Sequence, residues 1–231
     1  MCVATRTLER TNIIKKAIKS NIKALHIEKP LCNSMEQLLE LELLVDESKS
    51  ILSYGTLRRY LEIYKKAKEL VDSEKFGKLI QIQVDFGSAP LFWTHAHSVD
   101  VILFFAGQRK LLSLQANMSN LEKGNEEFRV ESDPIIEQAG MYFDDGVVGT
   151  ISKIPGMNVT LGCEQAIISV KSNGGYISIS DSPKNSPYHD YPDTIIKDDC
   201  DVPQGTCAAI SSLKNRMQNQ YFPGTNEHIF L

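Results

Sequence analysis

The sequence predicts two architectures in one chain: a parallel α/β segment, then an α+β unit made of an open, mainly antiparallel sheet with helices on one face. Three observations carry this. Helix-like and strand-like segments alternate over the first 76 residues, the apolar period falls from about 3.6 to about 2 after Gly77, and turn signals recur through the remainder. With 231 residues and 42% apolar side chains, the chain can bury a core in each part. The expected division gives 1–76 to the α/β part and 77–231 to the α+β part.

Thr11 or Asn12 is expected to cap a first helix that sets Ile13, Ile14, Ala17, Ile18 and Ile22 on one face. Residues 24–27 are short, mostly apolar and closed by Pro30, the pattern of a buried strand. Asn33 or Ser34 opens a second helix, with Gln37 completing a capping box after Ser34 and with Leu38, Leu39, Leu41, Leu44 and Val45 as the buried stripe. Residues 51–54 form another short strand. A third helix covers 61–74, with Tyr64, Ala67, Leu70 and Val71 facing inward and Gly77 ending it.

From Leu79 the pattern alternates, and β-rich runs follow at 111–116, 135–143, 147–154, 159–170 and 176–180. Asp144-Asp145-Gly146, Pro155-Gly156 and Asn173-Gly174-Gly175 are the turns between them. Helices are expected at 99–106 and 206–217. Ile136, Met141, Ile151 or Ile168 is expected on the outer sheet face, where a second copy would cover it.

Composition excludes several classes. Lys plus Arg number 25 against 29 Asp plus Glu, a formal charge of −4, so no broad nucleic-acid surface is expected. No apolar run approaches 18 residues and no secretory signal opens the chain, which predicts a cytoplasmic protein without a membrane anchor. Five cysteines, an odd number at irregular spacing, suggest neither a disulfide framework nor a metal knuckle.

Two clusters could carry chemistry. Glu28-Lys29-Pro30 follows the strand at 24–27, and in a parallel α/β sheet that end faces the ligand. A partly desolvated lysine there can orient a hydroxyl and share its proton. A surface charge pair beside a strand-ending proline is the competing reading. The second cluster is His95-Ala96-His97-Ser98-Val99-Asp100, where His97 and Asp100 share a helical face and the carboxylate can set the imidazole tautomer. A helix-capping pair or a buried structural histidine competes. So does a metal site on His95 and His97, which requires the segment to be a strand. His26, His189 and His228 read as structural or exposed, and Asp198, Asp199 and Asp201 as a solvated loop. No GxGxxG, Walker A, GxSxG or HExxH pattern occurs.

At these residues the sequence resembles the Gfo/Idh/MocA family, the glucose-fructose oxidoreductase and inositol dehydrogenase group of nicotinamide-dependent enzymes. Val3-Ala4-Thr5 looks like the end of the fourth Rossmann strand, with Arg6 where the family has Pro. Glu28-Lys29-Pro30-Leu31-Cys32 is similar to its EKP motif. Arg58-Arg59-Tyr60 with residues 64–70, then Phe76-Gly77-Lys78-Leu79, then His97-Ser98-Val99-Asp100 with Gly107, follow in the family's order.

The resemblance implies a partial Rossmann half whose first strands, glycine-rich turn and ribose-reading acid would precede residue 1. It implies hydride transfer at a carbinol carbon of a sugar, nucleotide sugar or cyclitol, with NAD or NADP as cofactor. Lys29 and His97 would be catalytic. Thr5, Glu28, Lys29, Pro30 and Arg59 would line the cofactor, and Lys29, Trp93, His97 and Asp100 the substrate. The Lys29–Pro30 bond would be cis. Trp93 stands where many members carry Asp. A homodimer or homotetramer through the sheet face is implied, and no metal. The alternative is a truncated, non-catalytic remnant serving sugar binding or dimerisation.

Overall fold

In a computed structural model of the chain, residues 1–121, 132–181, 194–197 and 205–218 are described, and they fall into two compact units. The first is built from Met1–Tyr60 with the described parts of Leu121–Asp133 and Pro203–Leu231, the second from Leu61–Asn120 with those of Pro134–Val202.

The first unit runs β1 (Cys2–Val3), α1 (Thr7–Lys19), β2 (Ala24–Ile27), α2 (Met35–Glu47), β3 (Ile51–Tyr54) and a 3-10 turn (Leu57–Tyr60). The strands pair in the order β1-β2-β3, all parallel, with Val3 beside Ile27 and Ile27 beside Tyr54. All four β2 residues are buried because the sheet is covered on both faces. Leu25, Ile27, Val3 and Leu52 pack with Ile14 and Ile18 of α1 and Leu41 and Val45 of α2. Ala24 and Ile51 pack on Leu213, which comes from the last described helix, Gly205–Gln218, labelled α5 below.

Helix α1 starts four residues before Thr11, its expected cap. Arg6 precedes it in extended conformation without a side-chain cap bond, and Thr11 lies buried inside the helix, its Oγ1 donating to Gln37 Oε1 at 3.1 Å. The helix extends backward because Arg10 belongs to its buried face and is anchored by backbone carbonyls. Ser34 caps α2, its Oγ accepting from the Gln37 amide at 3.2 Å, but the Gln37 side chain accepts from Thr11 and does not close the expected capping box. Of the leucine run, only the positions turned to the sheet are covered, and Leu39 is 53% exposed.

The second unit opens with α3 (Glu62–Asp72), then β4 (Leu79–Asp85), β5 (Ala89–Pro90), a π turn (Leu91–His95), α4 (Ala96–Ala106), β6 (Leu111–Ser119), β7 (Ile135–Phe143), β8 (Val148–Ser152), β9 (Asn158–Cys163), β10 (Ala166–Lys171), β11 (Tyr176–Asp181) and β12 (Thr194–Lys197). These make one nine-stranded sheet among the described residues, in the order β12-β11-β10-β9-β4-β8-β7, with β5 and β6 on β7. Among the described strands of this sheet, only β4 and β8 pair in parallel. Helices α3 and α4 contact the sheet through β10 and β11 and through β4 and β8. The expected strand at 159–170 is two strands, turning at Glu164 and Gln165, whose amides donate to the Lys78 and Phe76 carbonyls.

The sheet turns the opposite face to the helices from the one expected. Ile136, Met141, Ile151 and Ile168 are all within 4% of complete burial and point into the helix layer. A period of two fixes that alternate residues share a face but not which face the helices cover. A polar row crosses the outer face, the cross-strand neighbours Ser178, Ser169, Thr160, Gln83 and Thr150, with Ile195, Ile167 and Tyr142 exposed on the same face. Contact with α4 is closest at Gly149, where a Cβ would lie 2.4 Å from Ile102 Cγ2.

Candidate active site

The parallel register brings three strand exits to one end of the first unit. The Glu28 amide donates to the Val3 carbonyl at 2.9 Å and the Gly55 amide to that of Ile27 at 2.8 Å, so Ala4, Glu28 and Gly55 leave the sheet at one level, with Thr5 and Lys29 one residue beyond. Gly55 leaves room for the carboxylate, since a Cβ there would sit 3.1 Å from Glu28 Oε2. The same oxygen accepts from the Lys29 amide at 3.3 Å. The Lys29–Pro30 peptide is cis, as the motif implied.

Arg10, a residue that no local motif singles out, ties these exits together. It is 4% exposed, and its guanidinium donates to the carbonyls of Thr5 and Pro30. Its signal was present: Arg10 occupies the place four residues before Ile14 on the buried stripe of α1, where an apolar residue is expected. Burial lowers the Arg10 pKa, against the raising influence of Tyr54 and Glu28.

Lys29 is half-buried beside this clamp. Burial lowers its pKa first, Glu28 and Asp133 hold it up, and Arg10 pushes it further down. Thr5 Oγ1 is buried and has no hydrogen-bond partner among the described residues. An orphaned hydroxyl costs free energy unless a ligand engages it, so Thr5, Glu28, Lys29 and Pro30 fit a polar ligand at this end. Behind them, His26 Nδ1 lies 3.2 Å from Ser53 Oγ, and burial lowers the His26 pKa while Glu28 opposes the shift. Cys32 Sγ donates to the Ser34 carbonyl at 3.6 Å, and burial pushes its thiol pKa up. Arg59 lies half-buried in the 3-10 turn that follows β3.

The other predicted residues belong to the second unit. Helix α4 begins three residues earlier than expected, so His97 lies in its first turn, half-buried, with Asp100 one turn on and 7% exposed. Trp93, on the π turn, is 70% exposed. His95 is completely buried, with Nε2 3.1 Å from the Gly87 carbonyl and Nδ1 3.0 Å from Ser98 Oγ. The carbonyl can only accept, so Nε2 carries the proton and Nδ1 accepts from the serine hydroxyl. Both His95 nitrogens are thereby engaged in a helical segment, which removes the strand geometry that a His95–His97 metal pair requires. No cluster of three metal-ligating side chains occurs among the described residues. His189, His228, Asp198, Asp199 and Asp201 lie outside the described residues.

No protein-family model and no curated protein sequence matches this chain. Solved structures do match its fold. An inositol dehydrogenase homologue from Azotobacter vinelandii, crystallised with NADH and myo-inositol, superposes with a TM-score of 0.74 at 12% identity, over 99% of this chain and 71% of that one. An aldose-aldose oxidoreductase from Caulobacter crescentus, in complex with glycerol, gives 0.77 at 12% identity, over 99% and 72%. A super-repressor mutant of Gal80p from Saccharomyces cerevisiae gives 0.69 at 11% identity, over 97% and 68%. At these identities the likeness establishes the fold: a parallel α/β part joined to a large mixed sheet with helices. That fold supports dehydrogenases and a repressor alike, so function has to be argued from the residues.

Proposed function

We propose that this chain is an oxidoreductase acting on a carbinol carbon of a sugar, nucleotide sugar or cyclitol, with NAD or NADP as its cofactor. One observation carries the reading: an orphaned Thr5 hydroxyl, the Glu28 carboxylate and a partly desolvated Lys29 converge at the carboxyl end of three parallel strands, held by the Arg10 clamp. Thr5, Glu28, Lys29, Pro30 and Arg59 are the residues that would hold the nicotinamide end, and the bound cofactor supplies a two-electron acceptor or donor.

Lys29 orients the substrate hydroxyl and shares its proton. Desolvation makes its ammonium a better acid, while Glu28 and Asp133 keep it charged enough to bind the oxygen. His97 is the second acid or base, with Asp100 and Trp93 on the same run of helix. The fold neighbours crystallised with a nicotinamide or a polyol support the reading.

The test is calorimetric titration of NAD(H) into the chain and its Lys29→Ala and Thr5→Val variants, followed by turnover on a panel of polyols and nucleotide sugars. Micromolar binding that weakens in both variants is expected, with kcat/KM falling about 10²- to 10⁴-fold in Lys29→Ala. A non-catalytic sugar-binding or dimerisation module is the second reading, suggested by the repressor among the fold neighbours. Sugar binding without any NAD(H) binding would select it. The oxidoreductase reading extends to a homodimer or homotetramer through the outer sheet face, where Ile167 is exposed, tested by the solution mass of Ile167→Lys, and to a cytoplasmic location. Four free cysteines among the described residues and no described helix long and apolar enough to cross a membrane support the latter, which cell fractionation tests.

A further inference from the structure

The nine-stranded sheet ends on two unlike edges. Strand β12 has four residues and carries Lys197, the short, charged kind of edge that discourages an incoming strand. Strand β6 has nine residues, no charged side chain and no proline, and among the described residues it pairs along one side only, with β7. Leu112 and Leu114 on it are 62% and 59% exposed. Of the basic residues just before it, Arg109 is engaged through its side chain, Nε donating to Asp145 Oδ2 at 2.5 Å, and Lys110 lies outside the strand with its backbone amide donating to Asp144 Oδ1 at 3.2 Å. The β6–β7 register is irregular between Leu111 and Ser113 and between Asn117 and Met118, and is unbroken over residues 113–117.

We propose that β6 pairs antiparallel with the β6 of a second copy of this chain, across a two-fold axis at Gln115, joining the two sheets edge to edge. The axis falls at the centre of the unbroken stretch. It sets Leu114 opposite the partner's Ala116, a large side chain against a small one on one face. On the other face it sets Ser113 opposite the partner's Asn117 and Gln115 opposite the partner's Gln115, groups that both donate and accept. No charge meets its own image. That selects the occupant: a charged strand from another protein would find no counter-charge on this edge, whereas a copy matches it residue by residue in an isologous interface. The open backbone groups of β6 then find partners, as an exposed, uncharged edge otherwise does only by aggregation. The pairing is independent of the reaction proposed above and uses a surface other than the outer sheet face.

The two-fold makes the test specific, because one substitution at Gln115 places a charge opposite itself. Solution mass is measured by light scattering at tens of micromolar for the wild type, Gln115→Lys, Gln115→Glu and an equimolar mixture of the two variants. Each variant alone is expected to halve the wild-type mass, and the mixture to restore it. Leu114→Lys, also at an exposed position, is the second variant and is expected to halve the mass without rescue. Circular dichroism confirms that each variant is folded. A wild type with the mass of one chain overturns the proposal, as do variants that keep the wild-type mass or a mixture that stays at the mass of the single variants.

Discussion

The two units of this protein bury their strands in different ways. In the parallel unit, β2 has no exposed position, because helices cover both faces of a three-stranded sheet. In the larger unit, β7 and β8 alternate between covered and partly open positions along their length. The lesson concerns where polar chemistry can sit. A strand buried on both sides carries its reactive groups past its end, as Thr5, Glu28 and Lys29 do. A strand covered on one side displays polar groups along its length, as Gln83, Thr150 and Thr160 do.

Substitutions in the strands test this contrast most strongly. Leu161→Ala in β9 removes a fully buried side chain and is expected to cost about 2–5 kcal/mol, while Thr160→Ala beside it stays within about 0.5 kcal/mol. In β2 the alternation is absent: Leu25→Ala and Ile27→Ala each cost about 2–5 kcal/mol, and Ala24→Asp on the opposite face is as damaging, since it buries an unpaired carboxylate. Urea unfolding followed by circular dichroism measures all five. A quiet position in β2 would break the contrast.

Gly149→Ala presses a methyl group into Ile102 and is expected to cost about 1–3 kcal/mol. Adding Ile102→Val relieves the contact, so the double variant should be more stable than the sum of the two single losses predicts. Ser34→Ala removes the α2 cap in the parallel unit, an expected loss of about 1 kcal/mol seen as a lower urea midpoint.

The smallest effect is a pH dependence confined to the parallel unit. Burial lowers the His26 pKa below its usual 6.5, so the unfolded chain binds the proton more readily than the folded one. The stability linked to a neutral His26 is complete above 6.5 and is lost as pH falls through the lowered folded value. His26→Gln should flatten the stability profile below pH 6.5, and an unchanged slope would assign the acid sensitivity to other groups.

Much of this was legible in the residues. Strands 24–27 and 51–54 stand where the apolar runs put them, and the Ser34 cap formed because a hydroxyl three residues before Gln37 meets an amide that has no partner within the helix. Residues 135–143 form one strand, as their alternation predicts. Arg10 was legible only as a charge four residues before Ile14; its role as a clamp was not, because that depends on the carbonyls of Thr5 and Pro30 lying within its reach. The start of α1 was misplaced for the same reason, because a distant contact rather than a local cap fixes it. The His95-x-His97 ambiguity also needed the fold, since a strand presents both side chains together and a helix does not.

The sequence alone determined the order of elements, the change from parallel winding to an alternating sheet, and the two clusters at Glu28-Lys29-Pro30 and His97-Ser98-Val99-Asp100. These depend on periodicity and on neighbours within a few residues. Tertiary structure decided which face of the large sheet the helices cover, which carbonyls hold Arg10 and, among the described residues, that Thr5 Oγ1 has no partner and that β6 forms one sheet edge. Each of these depends on residues far apart in sequence that meet only when the strands pair, and no local pattern encodes such a meeting.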